Sequence, residues 1–279
     1  MKPQLSQRSV ASITTPPVKK GMNDLHRIRE LVAYSDSERA DPFLMLMEDW
    51  FPRGVFSHHP HRGMETVTYS LSGQLEHIDN KGNRGSIGPG DVQWMTAGRG
   101  IVHNEQPAEG QTVHSLQLWV NLPRDAKMVA PRYQQLDAEN VESATGEGYV
   151  VRVFSGSFGD TTSTTKNYAQ VTFLEVNLES GARVAPDFPA GYNVFLVVLQ
   201  GTGYAGATDT PISAGNVVYL NPVRGTRSEV LLRSGSEAMT VLVYAGKPLF
   251  EPIACGGPFV MNTPLEIEQA YADYRAGLF

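Results

Sequence analysis

The chain has 279 residues with 23 Lys and Arg against 29 Asp and Glu, giving a formal charge of −6. An acidic balance with no basic block argues against a clamp that neutralises a nucleic-acid backbone, and 41% hydrophobic residues argue against disorder. The single Cys255 rules out an intramolecular disulfide or a thiolate-rich metal site. It also points to a reducing compartment. The first twenty residues lack the apolar core of an export signal, and no apolar run approaches the roughly 20 residues needed to span a bilayer. A cytoplasmic protein with no membrane or direct nucleic-acid partner is therefore expected, with two domains or one large one.

Along the chain, 27 Gly and 18 Pro punctuate short apolar or alternating runs, the rhythm of an all-β sandwich or barrel. Strands are expected at Thr66–Leu71, Val92–Met95, His114–Val120, Tyr149–Phe154, Ala169–Val176, Val194–Leu199, Asn216–Leu220 and Met239–Tyr244. Polar and apolar residues alternate with period two in His114–Val120, as a half-buried strand requires. The polar stretch Gln134–Gly148 reads as a linker. That divides the chain into an N-terminal domain (1–135), a linker (136–148) and a C-terminal domain (149–279).

Two echoes suggest that the halves share a plan. Tyr69-Ser70-Leu71-Ser72-Gly73 resembles Val197-Val198-Leu199-Gln200-Gly201, and Gly90-Asp91-Val92-Gln93-Trp94 resembles Gly215-Asn216-Val217-Val218-Tyr219. They occur in the same order, with the paired glycines 17 and 14 positions apart, which favours a duplicated barrel. At the C-terminus, Thr263-Pro264-Leu265-Glu266 reads as an N-cap, a first-turn proline and a capping-box glutamate, and Gly277 would close the helix.

Six of the seven histidines fall between His58 and His114, and none follows. Pro60 disfavours a helix, so Ser57–Glu65 should be extended, with residues two apart on one face. His59 and His61 then point together, Glu65 shares their parity, and His58 turns away. His103 and Glu105 form a second pair two apart. Brought together inside a barrel, the pairs supply three imidazoles and a carboxylate, a set that suits Fe(II), Mn, Ni, Cu, Co or Zn.

The runs His59-Pro60-His61-Arg62-Gly63-Met64-Glu65 and Gly98-Arg99-Gly100-Ile101-Val102-His103-Asn104-Glu105 resemble the pirin family of the cupin superfamily. Asp41-Pro42-Phe43-Leu44, Lys127-Met128 and Gly256-Gly257-Pro258-Phe259-Val260-Met261-Asn262-Thr263 extend the resemblance over most of the chain. It implies an all-β fold of two cupin-type barrels in tandem with a short C-terminal helix. It also implies one divalent metal, usually iron, held by His59, His61, His103 and Glu105. Glu65 occupies the place where many other cupins carry their carboxylate ligand, a role that passes to Glu105 in pirins. Arg62 would orient a carboxylate or face solvent.

The activity implied is that of a quercetin 2,3-dioxygenase, in which a flavonol 3-hydroxyl loses its proton and dioxygen opens the central ring with loss of carbon monoxide. Glu105 would serve as ligand and general base. Substrates would be a flavonol or another small phenol, together with dioxygen. The resemblance also implies a different class of role: a redox-sensing metal protein that acts through protein partners, as a transcription cofactor or a regulator of metabolic enzymes. Counting from the paired glycines places Asp187, Pro189, Ser228 and Val230 where the first half has its ligands, so the second barrel is expected to be metal-free. Phe56, Met64, Trp94, Leu116 and Met47 are expected to pack in the core, and Cys255 to be a small buried hydrophobe.

Overall fold

The computed structural model describes residues 5–279. Residues 1–4, part of the expected N-terminal domain and of the stretch read for an export signal, lie outside it. Among the described residues no helix is long and apolar enough to cross a membrane.

Strands dominate, and they form two compact units that are not contiguous in sequence. One comprises Pro17–Ser35, Pro42–Asn140 and Leu249–Phe279; the other comprises the described residues through Pro16, Asp36–Asp41 and Val141–Pro248. The chain crosses at Asn140, inside the expected linker, but the expected ends of the domains are corrected. Val10–Thr14 adds an antiparallel strand to Val217–Leu220, and Ser6–Gln7 runs parallel to Arg227–Glu229. At the other terminus, the Val260 N–H donates to the Arg62 carbonyl at 3.0 Å. Edge hydrogen bonds of this kind decide membership, and composition does not report them. The linker stretch itself contains strands at its rims, Arg132–Leu136 and Ser143–Gly146, with a turn between.

In the first unit a seven-stranded antiparallel sheet runs in the order Arg132–Leu136, Val92–Thr96, Met64–Ser72, Thr112–Asn121, Phe43–Pro52, Arg27–Val32, Lys19–Lys20. A four-stranded sheet of His59–His61, Ile101–Pro107, Leu75–Asp79 and Arg84–Ile87 completes the barrel. The second unit repeats this order: Val10–Thr14, Val217–Leu220, Asn193–Gln200, Met239–Gly246, Val171–Leu178, Tyr149–Ser155, Ser143–Gly146. The echoed segments therefore fall on corresponding strands. The fold is two cupin-type barrels in tandem with a short C-terminal helix, as the sequence implies.

The interiors differ in chemistry. In the first barrel Thr68 lies opposite Gln93 and Gln117, and all three side chains hydrogen-bond to Glu105. In the second, Leu196 lies opposite Val218 and Val243 at the matching register, and Val230 takes the position of Glu105 by glycine count. These four belong to one continuous apolar cluster filling that barrel. The same alternation that points Val and Leu inward to make a dry core points polar groups inward in the first barrel.

Local chemistry places the histidine strand. Pro60 has no N–H to give a ladder, and His59–His61 is accordingly an edge strand, paired among the described residues with Ile101–Pro107. Gly63 then turns the chain at φ +77°, where an added Cβ would stand 2.0 Å from the Val260 carbonyl oxygen. The buried Lys127 braces this turn, its Nζ donating to the Gly63 carbonyl (2.8 Å), the Asn121 Oδ1 (2.8 Å) and the Val260 carbonyl (2.9 Å). Lys127→Met would leave three buried acceptors without a donor, so a loss of about 3 kcal/mol is expected. Urea unfolding measures it; a loss below about 1 kcal/mol would show that water replaces the ammonium.

The helix Pro264–Arg275 forms with the expected capping box. Thr263 Oγ1 accepts from the Glu266 N–H, and Glu266 Oε2 accepts from the Thr263 N–H at 2.8 Å. Gly277 follows at φ +70°. Arg62 does not face solvent, and the carboxylate it orients is that of Asp273. Arg62 is buried, donates to the Arg99 carbonyl (2.6 Å) and to Asp273 Oδ2 (2.7 Å), and lies over the Phe279 ring, tying the C-terminal helix to the barrel. Cys255 is exposed, contrary to expectation: among the described residues its short strand Ala254–Gly256 pairs with Phe259–Met261 alone. Phe56 and Met47 face a cavity, whereas Met64, Trp94 and Leu116 are core.

Candidate metal centre

Register brings the histidines together. His59 lies directly opposite His103, and on the other side of the same strand Glu105 lies opposite His77 while His103 lies opposite Asp79. Directly opposed residues share a face, so the imidazoles and carboxylate project into one space. His59, His61 and His103 form one group whose donor atoms all lie within 4.8 Å of one another, and His77, His103 and Glu105 form a second. His103 joins the two. His58 is exposed on the opposite face, and Glu65, buried and accepting from Thr96 Oγ1 at 2.7 Å, stands outside both groups.

Partners fix the imidazole tautomers. A carbonyl accepts only, so His59 Nδ1, 2.9 Å from the Ser57 oxygen, and His61 Nδ1, 3.3 Å from the Pro258 oxygen, each carry the proton. His77 Nε2 faces Asp79 Oδ2 at 3.4 Å and carries its proton, which leaves His77 Nδ1 to accept from His103 Nδ1–H at 3.5 Å. The Nε2 atoms of His59 and His61 are thus bare lone pairs, and His103 Nε2 stands 3.0 Å from His59 Nε2, a spacing that suits a shared proton or two ligands of one cation. Asp79 is itself fixed by the Lys81 and Asn83 N–H groups and the Asn83 amide.

Electrostatics favour the same state. Burial holds His61 down to about 3, with the neighbouring His59 adding to the effect and the Pro258 carbonyl opposing it. Burial likewise lowers His59, His77 and, most strongly, His103. These imidazoles are neutral at neutral pH, the form that ligates metals. Burial pushes the Glu105 carboxyl up to about 7; the charge on Asp49 adds to this, while hydrogen bonds from Thr68 and Gln93 oppose it. Neutral imidazole nitrogens beside a carboxylate fit a divalent transition metal.

The group opens on a cavity of about 820 Å³, within the range of small-molecule sites. Trp119, edge-on to His61 with centroids 5.4 Å apart, joins Phe51, Phe56, Met45 and Met47 in its apolar wall. Sequence reading missed His77 and Asp79 because they sit in no recognisable motif; in Leu75–Asp79 they are buried, with exposed Glu76 and half-buried Ile78 beside and between them, a parity that the hydropathy of the segment does not show. It also missed the cradle of Thr68, Gln93 and Gln117.

Residues 21–120 match the pirin family model, and residues 173–279 match that of the pirin C-terminal cupin domain. Pirin-like protein 2 of Arabidopsis thaliana is 37% identical over 288 residues, covering 99% of this chain and 89% of that protein. The chain belongs to the pirin family. Among solved structures, a Geobacillus kaustophilus protein is 45% identical with a TM-score of 0.86, covering 89% of this chain and all of that one. A quercetin 2,3-dioxygenase from Acinetobacter baumannii is 31% identical with a TM-score of 0.85, covering 98% and 99%.

In this pirin, His77 is expected to support metal binding through His103. His77→Phe keeps a ring stacked on Tyr133, now 4.5 Å between centroids, but removes the acceptor for His103 Nδ1–H. Metal affinity should fall roughly 10- to 100-fold, measured by competition with a chromophoric chelator. Unchanged affinity would mean that the His103 tautomer needs no such partner.

Proposed function

We propose that this pirin is a metal-dependent oxygenase acting on a flavonol, with the activity of a quercetin 2,3-dioxygenase, and that His59, His61, His103 and Glu105 hold its single metal. The observation that carries the reading is the cluster of His59, His61 and His103, to which Glu105 is joined through His103, at the wall of a mostly apolar cavity. A divalent ion bound there, Fe(II) or another that accepts nitrogen and oxygen ligands, would supply Lewis acidity and a path for electrons to dioxygen. The relative from Acinetobacter baumannii supports flavonol as the substrate class.

The chain's own residues account for the rest. Trp119, Phe51 and Phe56 offer flat apolar surface to an aromatic substrate and exclude water. Glu105, a carboxylate at the cavity wall, would take the proton of a phenolic hydroxyl. Gln93 and Thr68 hold its Oε1, and Gln117 approaches Oε2 at 3.5 Å, which fixes the direction in which the carboxylate can take that proton.

The test is to load the purified chain with Fe(II), add quercetin under air, and follow loss of flavonol absorbance together with carbon monoxide release. Turnover with stoichiometric carbon monoxide is expected. No turnover, accompanied by partner binding that differs between Fe(II) and Fe(III) forms, would favour the redox-sensing role instead.

A further inference from the structure

The same cavity carries a second carboxylate that metal binding does not use. Met45, Met47, Asp49 and Phe51 alternate along Phe43–Pro52 and line it, and their cross-strand neighbours Trp119, Gln117 and Ser115 line it too. Successive rungs of this wall are Met45 with Trp119, Met47 with Gln117, and Asp49 with Ser115. Trp119 meets His61, and Gln117 approaches Glu105, so Asp49 stands one rung beyond the proposed base. Two residues of strand set that step at about 7 Å, the span of one aromatic ring with its substituents.

Asp49 is held in place. His26 Nε2 donates to Asp49 Oδ1 at 2.8 Å, and the Met22 N–H donates to His26 Nδ1 at 3.1 Å, so both imidazole nitrogens are engaged and the proton on Nε2 is fixed toward the carboxylate. Phe51 and Phe56 pack edge-on to the His26 ring at 6.0 and 5.3 Å. Among the described residues His26 is the one hydrogen-bond donor to the carboxylate, and Asp49 accepts it through Oδ1 alone. A largely buried carboxylate in an apolar cavity, with capacity for a further donor, is a recognition element for a hydroxyl group.

We infer that Asp49, oriented by His26, is a specificity-determining residue that accepts a hydrogen bond from a phenolic hydroxyl remote from the metal, so that the cavity selects polyhydroxylated aromatics over their unsubstituted counterparts. The inference rests on the oxygenase reading for the pose of the substrate, but its test does not depend on turnover. Protein loaded with redox-inert Zn(II) is titrated without oxygen, by tryptophan fluorescence, with quercetin and with 3-hydroxyflavone, which keeps the chelating group and lacks the other hydroxyls.

Wild-type protein should bind quercetin about tenfold more tightly than 3-hydroxyflavone. Asp49→Ala should remove that preference, and the isosteric Asp49→Asn, which still offers His26 an acceptor, should reduce it. Both variants should weaken quercetin binding more than 3-hydroxyflavone binding. An equal loss for both ligands would mark Asp49 as merely structural and overturn the inference, as would an undiminished preference or no binding by the wild type. Absent turnover in the Fe(II) protein with the Asp49-dependent preference intact would overturn the oxygenase reading alone.

Discussion

Replacing Glu105 with glutamine is expected to lower quercetin turnover by roughly 100- to 10,000-fold, the usual range for losing a positioned base, while most of the metal stays bound. The side chain keeps its shape, and its amide oxygen can still accept from Thr68 Oγ1 and the Gln93 amide, so the cradle survives. What disappears is the group that takes the proton. The three Nε2 atoms of His59, His61 and His103 are untouched and should retain the ion. Elemental analysis and single-turnover kinetics on the same preparation separate the two effects. Unchanged turnover in a metal-replete Glu105→Gln protein would remove the base assignment, and loss of all metal would make Glu105 chiefly a ligand.

Acid is expected to destabilise the metal-free protein, and metal to stabilise it at neutral pH. His59, His61, His77 and His103 are held below their ordinary values by burial. Below about pH 6.5 the unfolded chain therefore binds more protons than the folded one. Their contribution is complete above that pH and declines as pH falls toward about 3, the value for His61. For His61 alone the loss is on the order of 2 kcal/mol at pH 5. Glu105 acts in the opposite sense: raised to about 7, it stabilises the folded state below the ordinary glutamate range and loses that contribution as pH rises through about 7.

Four imidazoles outweigh one carboxyl, so the urea midpoint of the metal-free protein should drop between pH 7 and pH 5. Metal at 100 times its dissociation constant should add about 2.7 kcal/mol at pH 7. A midpoint independent of both pH and metal would mean that the imidazoles are hydrated and do not ligate.

Much of this was legible in the sequence, and the limits follow from physics. The eight expected strands form because alternation and turn residues are local signals. Strand parity put His59 with His61 and His103 with Glu105, and turned His58 outward, without knowledge of partners. Parity could not reveal that Glu105 would lie opposite His77, since cross-strand register depends on loop lengths between distant segments. Phe43–Pro52 carries Asp49 and half of one cavity wall, yet its first five residues, Phe43-Leu44-Met45-Leu46-Met47, form a continuous apolar run with no alternation to mark a face. The exchange of terminal segments between units depends on edge hydrogen bonds made far along the chain. The exposure of Cys255 is not legible from residue type, which predicts burial only on average.

The central claim, that His59, His61, His103 and Glu105 form one metal centre, is tested most directly by anaerobic Fe(II) titration of metal-stripped protein, wild type beside His61→Ala. One Fe(II) per chain is predicted for the wild type, with affinity more than roughly 100-fold weaker in the variant, beyond what an outer partner's loss produces. No Fe(II) binding by the wild type, or equal binding by both proteins, would contradict it.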